Sequence, residues 1–166
     1  MKTALSKQEI IDLLGLESHF EGGYFRQSFK AEHRPMVNTG RGERTAMTAI
    51  YYMLTKENAV DHFHTKHSDG IEFYHMGSPI TYHLIHPDGR YEKVVVGPDI
   101  ANGQRLQLAV SGGVYKAAEL EHGEFGLVSE AVAPGWEMED MVVINKRELM
   151  EKFPQHKSII LRLAHS

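Results

Sequence analysis

The sequence contains no cysteine among its 166 residues. This absence excludes disulfide bonds, catalysis by a thiolate and any zinc site that uses sulfur ligands. A metal ion in this protein would therefore need imidazole and carboxylate ligands. Histidine draws attention for this reason, because the chain has 11 of them.

Basic runs and long apolar runs are missing as well. The formal net charge is −4 with histidine neutral, and Lys and Arg are scattered, so we expect no nucleic-acid partner. The N-terminal segment lacks the apolar core of a signal peptide, and no stretch approaches the roughly 20 apolar residues of a membrane helix. We therefore expect no membrane contact and a cytoplasmic location.

The pattern of residues predicts a β domain flanked by small helices near residues 6–14 and 145–164. Ser6 and Glu9 have the spacing of a capping box at the start of the first helix. Between the helices, short runs rich in β-branched and aromatic residues alternate with turn signals. These runs are TAIYYML, IEFYHM, ITYHLI, YEKVVV, RLQLAV and FGLVSEAVA. Their regular spacing predicts an all-β fold, an antiparallel sandwich or barrel, in one domain over residues 1–166.

Several segments follow one another along nearly the whole chain in a familiar order. They are EGGYFRQSF at 21–29, TAIYYML at 48–54, FH…SDGIEFYHMGSPI at 63–80, VAPGWEMEDM at 132–141 and FPQHKSIILRL at 153–163. Together they resemble an uncharacterised cupin family of small RmlC-like barrel proteins. The resemblance implies a double-stranded β-helix barrel of the jelly-roll kind, a small-molecule ligand in its cavity, and a homodimer or a multiple of it. It implies no established reaction.

Metal cupins carry two motifs that supply three histidines and one glutamate to a metal. His62 and His64 fit the His-x-His of the first motif, and Gly77 fits its closing glycine. Strand side chains alternate, so we expect both histidines on one strand face that lines the cavity.

The carboxylate and the third histidine depart from the motifs. Gly70 stands where relatives usually have the glutamate, while Asp69 and Glu72 are nearby substitutes. Lys116 stands in the register of the third histidine, and an ammonium group is a poor metal ligand. We therefore expect no bound cofactor, and any divalent metal only at low occupancy. The alternative is a metal enzyme that uses His62, His64 and one of the two carboxylates.

Proton transfer without a metal is the other chemistry that these residues suggest. RmlC-type epimerases use a histidine oriented by an acid, and a tyrosine that returns a proton. By resemblance, His64 would be the base, Glu72 or Asp69 would orient it, and Tyr74 would be the acid, because Tyr74 shares a strand face with Glu72. Lys116 would have a lowered pKa if it pointed into an apolar barrel. An outward, solvated Lys116 is the alternative.

Three other side chains are candidates for ligand contact. Arg26 at a cavity mouth would bind a carboxylate or phosphate, and Tyr24 shares its strand face. The same pattern permits the opposite arrangement, with Phe25 on the core side and Arg26 at a surface or interface. Trp136 follows a turn and is either a lid over the cavity, an interface residue or a packing residue.

The sequence thus predicts a cupin barrel that binds a small polar metabolite. The leading interpretation is a metal-independent isomerase or epimerase with His64 as base and with His62, Arg26, Tyr24 and Lys116 in contact with the ligand. The alternatives are the two-histidine, one-carboxylate metal enzyme and a binding or sensing protein without catalysis.

Overall fold

The computed structural model describes residues 4–166. Strands make up 45% of the chain and helices 19%, which confirms the prediction of an all-β fold with small helices. The strands are β1 (Glu17–Ser18), β2 (Tyr24–Lys30), β3 (Val37–Thr39), β4 (Gly42–Arg44), β5 (Thr48–Thr55), β6 (Val60–Lys66), β7 (Asp69–Gly77), β8 (Ile80–Ile85), β9 (Tyr91–Val96), β10 (Gln107–Val110), β11 (Tyr115–Glu119), β12 (Phe125–Ala133) and β13 (Met141–Val143). The α-helices are α1 (Lys7–Leu14), α2 (Lys146–Lys152) and α3 (Lys157–Leu163).

The strands form two facing sheets and a separate hairpin. The larger sheet has the order β1-β2-β5-β12-β7-β10, and the smaller sheet has the order β13-β6-β11-β8-β9. Strands β3 and β4 pair with each other in a separate two-stranded sheet. Neighbouring strands in both sheets run antiparallel, as expected for a jelly roll.

The helices lie outside the sheets, and α1 and α2 begin at capping residues. Ser6 and Glu9 form the predicted capping box of α1, and Gly15 ends that helix in the left-handed conformation. Asn145 caps α2 by accepting a hydrogen bond from the backbone N–H of Glu148 at 2.9 Å. Within residues 4–166, no helix has the length and apolar character needed to cross a membrane.

Apolar side chains are buried in three layers. One cluster fills the space between the sheets, and includes Leu54, Tyr82, Leu84, Val96 and Val128. A second lies between the smaller sheet and the helices α2 and α3, and includes Phe63, Leu149, Phe153, Ile160 and Leu163. A third packs α1 on the outer face of the larger sheet. Each sheet is therefore covered, at least in part, on both faces. The cavity lies in the space between the two sheets.

A β-bulge in β6 determines which of its side chains face that space. Lys116 of β11 pairs with His64, but Ala118 pairs with Asp61, so β6 has one extra residue between the two pairs. An extra residue interrupts the alternation of side chains. As a result, Asp61 and His64, rather than His62 and His64, line the cavity between the sheets.

Candidate functional site

The cavity between the sheets has a volume of about 80 Å³. A single buried water needs only about 10–15 Å³, so the cavity can hold several waters or a small organic molecule. The buried part of its lining carries polar groups, among them Asp61, His64, Glu72, Lys116 and Glu130. The partly exposed part is rich in apolar side chains, which include Phe25, Ile50, Trp136 and Met141.

Four charged side chains form a continuous network across the cavity. Lys116 contacts Glu72 directly, and its Nζ lies 3.3 Å from Oε2 of Glu130. Oε1 of Glu130 in turn accepts a hydrogen bond from Lys66. The two lysines come from the smaller sheet and the two glutamates from the larger one, so the ion pairs bridge the sandwich. We call this set, Lys66, Glu130, Lys116 and Glu72, the charge network.

The two glutamates of the charge network have different pKa values, although they are paired across neighbouring strands. Burial, with the nearby charge of Glu130, raises the pKa of Glu72 to about 7. Burial also disfavours the charge of Glu130, but Lys116 and Lys66 outweigh it and lower the pKa of Glu130 well below its usual range. Glu130 is therefore a permanent carboxylate, whereas Glu72 changes its protonation state near neutral pH.

Lys116 is a cation rather than a neutral amine. Burial opposes its charge, but the surrounding carboxylates outweigh burial and raise the pKa of Lys116. The condition for a lowered pKa, an apolar surrounding, is not met, because carboxylates surround Lys116. The alternative of an outward, solvated side chain is wrong, since Lys116 is only 3% exposed.

His64 is a neutral imidazole beside this network. Burial, followed by the charges of Lys116 and Lys66, lowers the pKa of His64 from 6.5 to about 3. Nδ1 of His64 lies 2.7 Å from the backbone carbonyl oxygen of His62. Because a carbonyl oxygen only accepts hydrogen bonds, Nδ1 carries the proton and Nε2 carries the lone pair.

Asp61 is the least satisfied polar group in the cavity. It is 6% exposed, and its Oδ1 atom has no hydrogen-bond partner. Nδ1 of His64 lies 3.6 Å from Oδ1 of Asp61, beyond hydrogen-bond distance. Burial raises the pKa of Asp61 well above its usual range, and so favours the protonated, neutral form of this carboxyl group.

His62 does not lie in the cavity, and the prediction that it shares a face with His64 is wrong. Because of the bulge in β6, the His62 side chain turns away from the cavity. Its Nδ1 lies 2.9 Å from the backbone oxygen of Glu21, and its ring stacks on His165 with centroids 4.2 Å apart. His62 therefore cannot contact a ligand in the cavity in this arrangement, contrary to the prediction.

Tyr74 and Asp69 are also placed differently from the prediction. The ring of Tyr74 packs against the core between the sheets, but its hydroxyl donates to the backbone oxygen of Gly77 at 2.7 Å. The hydroxyl is thus occupied at the strand end and is not part of the cavity lining. Asp69 is exposed and accepts a hydrogen bond from the backbone N–H of Gly112.

Arg26 and Tyr24 lie on the outer face of the larger sheet. Nη1 of Arg26 donates to the backbone oxygen of Leu14 at 3.0 Å, near the C-terminal end of α1. Tyr24 packs against the α1 cluster. The residue between them, Phe25, lines the cavity instead, as strand alternation requires. Trp136 is part of the cavity lining.

The family model described as Cupin superfamily (DUF985) matches residues 8–144. The chain belongs to this family. Among curated relatives, it is 36% identical over 148 residues to the uncharacterized protein YML079W of Saccharomyces cerevisiae, a match that covers 81% of this chain and 73% of the yeast protein.

Solved structures place this cupin among close structural relatives. A hypothetical protein from Leishmania major is 30% identical, with a TM-score of 0.91 over 98% of this chain and 100% of that one. Protein SO0799 from Shewanella oneidensis is 29% identical, with a TM-score of 0.89 over 98% of this chain and 99% of that one. Oxalate decarboxylase from Bacillus subtilis is 13% identical, with a TM-score of 0.57 over 88% of this chain and 36% of that one, and shares the fold alone.

The residues of this cupin do not fit the metal site that the cupin motifs imply. His62 faces away, Lys116 takes the register of the third histidine, and Glu72 is engaged by Lys116. At Gly70, a Cβ atom would lie 2.7 Å from Oε1 of Glu130, so Glu130 fills the space of the missing motif side chain. Across residues 4–166, no three His, Asp or Glu side chains form a group that could hold a metal ion.

Asp61, Lys66 and Glu130 are charged cavity residues that sequence reasoning missed. A signal for Glu130 was present, because Val128, Glu130 and Val132 alternate on one face of β12, and a charged residue on an apolar face indicates a partner inside. Asp61 had no such signal, since its position depends on the bulge.

Proposed function

We propose that this cupin is a metal-independent isomerase that moves a proton on a small polar metabolite with a carbonyl group next to a hydroxyl-bearing carbon. The feature that supports the proposal is the contact between the buried carboxyl group of Glu72 and the buried cation Lys116 inside the cavity, where burial raises the pKa of Glu72 to about 7. A base whose pKa lies near the operating pH, next to a fixed positive charge, is suited to proton removal beside a carbonyl.

The proposed reaction assigns one step to each buried group. The Glu72 carboxylate takes the proton from the carbon beside the carbonyl, and the electron pair of that C–H bond moves onto the carbonyl oxygen. The ammonium group of Lys116 stabilises the resulting enolate oxygen. Glu72 then returns the proton to the neighbouring carbon, so that the carbonyl and hydroxyl groups exchange places without any net change in atoms or electrons.

His64 has a different role in this proposal from the one that the sequence suggested. A pKa of about 3 makes His64 a weak base for a carbon acid. Its Nε2 lone pair can accept the hydrogen bond of the substrate hydroxyl and relay that proton between the two oxygens. A glutamate base beside a neutral histidine is an established arrangement for this type of reaction. Tyr74 has no part in it, because its hydroxyl lies outside the cavity lining.

Exchange of substrate hydrogen with solvent tests this proposal. Protein without a histidine tag, treated with a chelator, is incubated in D₂O with small hydroxycarbonyl compounds, and NMR follows the loss of C–H signal. We expect deuterium at the carbon beside the carbonyl. Binding without exchange would favour the non-catalytic binding protein. Exchange that is lost on chelation and restored by a divalent metal would favour the metal enzyme.

The homodimer implied by the family resemblance stays a prediction. Light scattering would then give a particle mass of about twice the 18.8 kDa of one chain, or a multiple of that value.

A further inference from the structure

The charge network leaves no unpaired cation for an anionic ligand. Lys66 pairs with Glu130, and Lys116 contacts both Glu130 and Glu72. Two ammonium groups are therefore matched by two carboxylates when Glu72 is ionised. A carboxylate or phosphate that entered this buried space would bring a charge without a partner, and burying an unpaired charge is strongly unfavourable.

A cationic ligand is disfavoured by the same geometry. The remaining acidic group of the cavity, Asp61, lies on β6 near His64, and the charge of Lys116 acts on it. An ammonium group that approached Asp61 would therefore approach the buried cation Lys116 as well. The field of the cavity opposes a net charge of either sign on the ligand.

Asp61 and His64 instead offer a matched pair of hydrogen-bonding groups to a neutral molecule. Oδ1 of Asp61 is buried without a partner, which is costly unless a ligand or water supplies one. In its neutral form the Asp61 carboxyl group is a donor, whereas Nε2 of His64 is an acceptor. A carbonyl oxygen and an adjacent hydroxyl group are the complementary acceptor and donor.

We propose that the cavity takes small, uncharged hydroxycarbonyl compounds, with Asp61 donating to the carbonyl oxygen, and that it discriminates against carboxylates and phosphates. This proposal rests on the proposed function, because the isomerase reaction determines where the carbonyl group of the ligand lies. The selectivity of the cavity for uncharged ligands can nevertheless be measured by binding alone, without any turnover. Asp61 would also help to stabilise the enolate oxygen, in the way that a protonated carboxylic acid does in an oxyanion hole.

The test compares two probes that differ by one charged group. Dihydroxyacetone is uncharged, and hydroxypyruvate has a carboxylate in place of one CH₂OH group. Ligand-observed NMR titration at pH 8, where Glu72 is mostly ionised, gives both dissociation constants. We expect dihydroxyacetone to bind at least tenfold more tightly to the wild type. Equal binding of the two probes, a preference for hydroxypyruvate, or no binding of dihydroxyacetone would overturn the proposal.

Three variants make the test specific to the charge network and to Asp61. Glu72→Gln leaves Lys116 with one carboxylate fewer, so hydroxypyruvate should gain at least tenfold in affinity over its value with the wild type. Asp61→Ala should weaken dihydroxyacetone binding by about 3–10-fold, the usual worth of one hydrogen bond, and Asp61→Asn should restore part of it because an amide still donates. Failure of Glu72→Gln to improve hydroxypyruvate binding in a folded variant would overturn the charge argument.

The outcomes separate this proposal from the proposed function. Selective binding of dihydroxyacetone without deuterium exchange would support the selectivity and contradict the isomerase. Exchange on hydroxypyruvate at a rate equal to that on dihydroxyacetone would support the isomerase and contradict the selectivity.

Discussion

The variant Lys116→Met is expected to unfold more easily than the wild type at pH 8, by about 3–5 kcal/mol, because removal of one member of a buried ion pair leaves uncompensated charge. Lys116 is 3% exposed and contacts both Glu72 and Glu130. Methionine preserves most of the side-chain volume, so lost packing contributes little. Urea denaturation monitored by circular dichroism measures the difference.

Two controls identify the cause of that loss. Lys93→Met, at a lysine whose side chain is 51% exposed, should change the free energy of unfolding by less than about 0.5 kcal/mol. The double variant Lys116→Met/Glu72→Gln should recover part of the loss. The loss should also be smaller at pH 5 than at pH 8, since Glu72, whose pKa is about 7, is then protonated and needs no cation. A Lys116→Met protein that is within 1 kcal/mol of the wild type at both pH values would contradict the buried charge network.

The variant Glu72→Gln is expected to lower the rate of solvent exchange into a hydroxycarbonyl substrate by about 10²–10⁴-fold, the usual contribution of a general base. Glutamine has nearly the same shape but cannot take the proton. The wild-type rate should rise with pH and reach half its maximum near pH 7, because the raised pKa of Glu72 means that its carboxylate form is lost below that pH. NMR rates between pH 5 and 9 measure both effects.

The matched control for this variant is Glu32→Gln, at an exposed glutamate outside the cavity lining. Its exchange rate should equal that of the wild type. A folded Glu72→Gln protein that keeps more than a tenth of the wild-type rate would remove Glu72 from the mechanism.

The regular elements were largely predictable because local patterns determine them. The run ITYHLI coincides with β8 and YEKVVV with β9, and the helices lie where their capping residues predicted. Strand β11 was not among the predicted runs. Its sequence, YKAAE, contains two alanines, a lysine and a glutamate, which are depleted in strands. It is a strand because β6 and β8 pair with it on either side.

The candidate site was predictable only where strand alternation is undisturbed. Glu72 lies in the cavity as expected, because β7 is regular between Asp69 and Tyr74. His62 lies outside it because one extra residue in β6 brings Asp61 to the cavity side. Such a bulge depends on pairing between strands distant in sequence, so the spacing of His62 and His64 alone could not reveal it.

The ion pairs inside the cavity could not be predicted, because they depend on contacts between strands that no sequence motif specifies. Lys116 was recognised at the register of the third cupin histidine, but its partners could be known only once β7 and β12 faced β11 across the sandwich. Those partners change its interpretation from a surface lysine to a fixed cation between Glu72 and Glu130.

The most direct test of the central claim is an NMR titration that follows the carboxyl carbon of Glu72 and the imidazole nitrogens of His64 in the same protein. The claim is that a buried charge network takes the place of a metal centre and sets the protonation states of both groups. We expect Glu72 to titrate near pH 7 and His64 to stay neutral, with its proton on Nδ1, from pH 5 to 8. A Glu72 midpoint near 4.5 together with a His64 midpoint near 6.5, the ordinary values of the two groups, would contradict it.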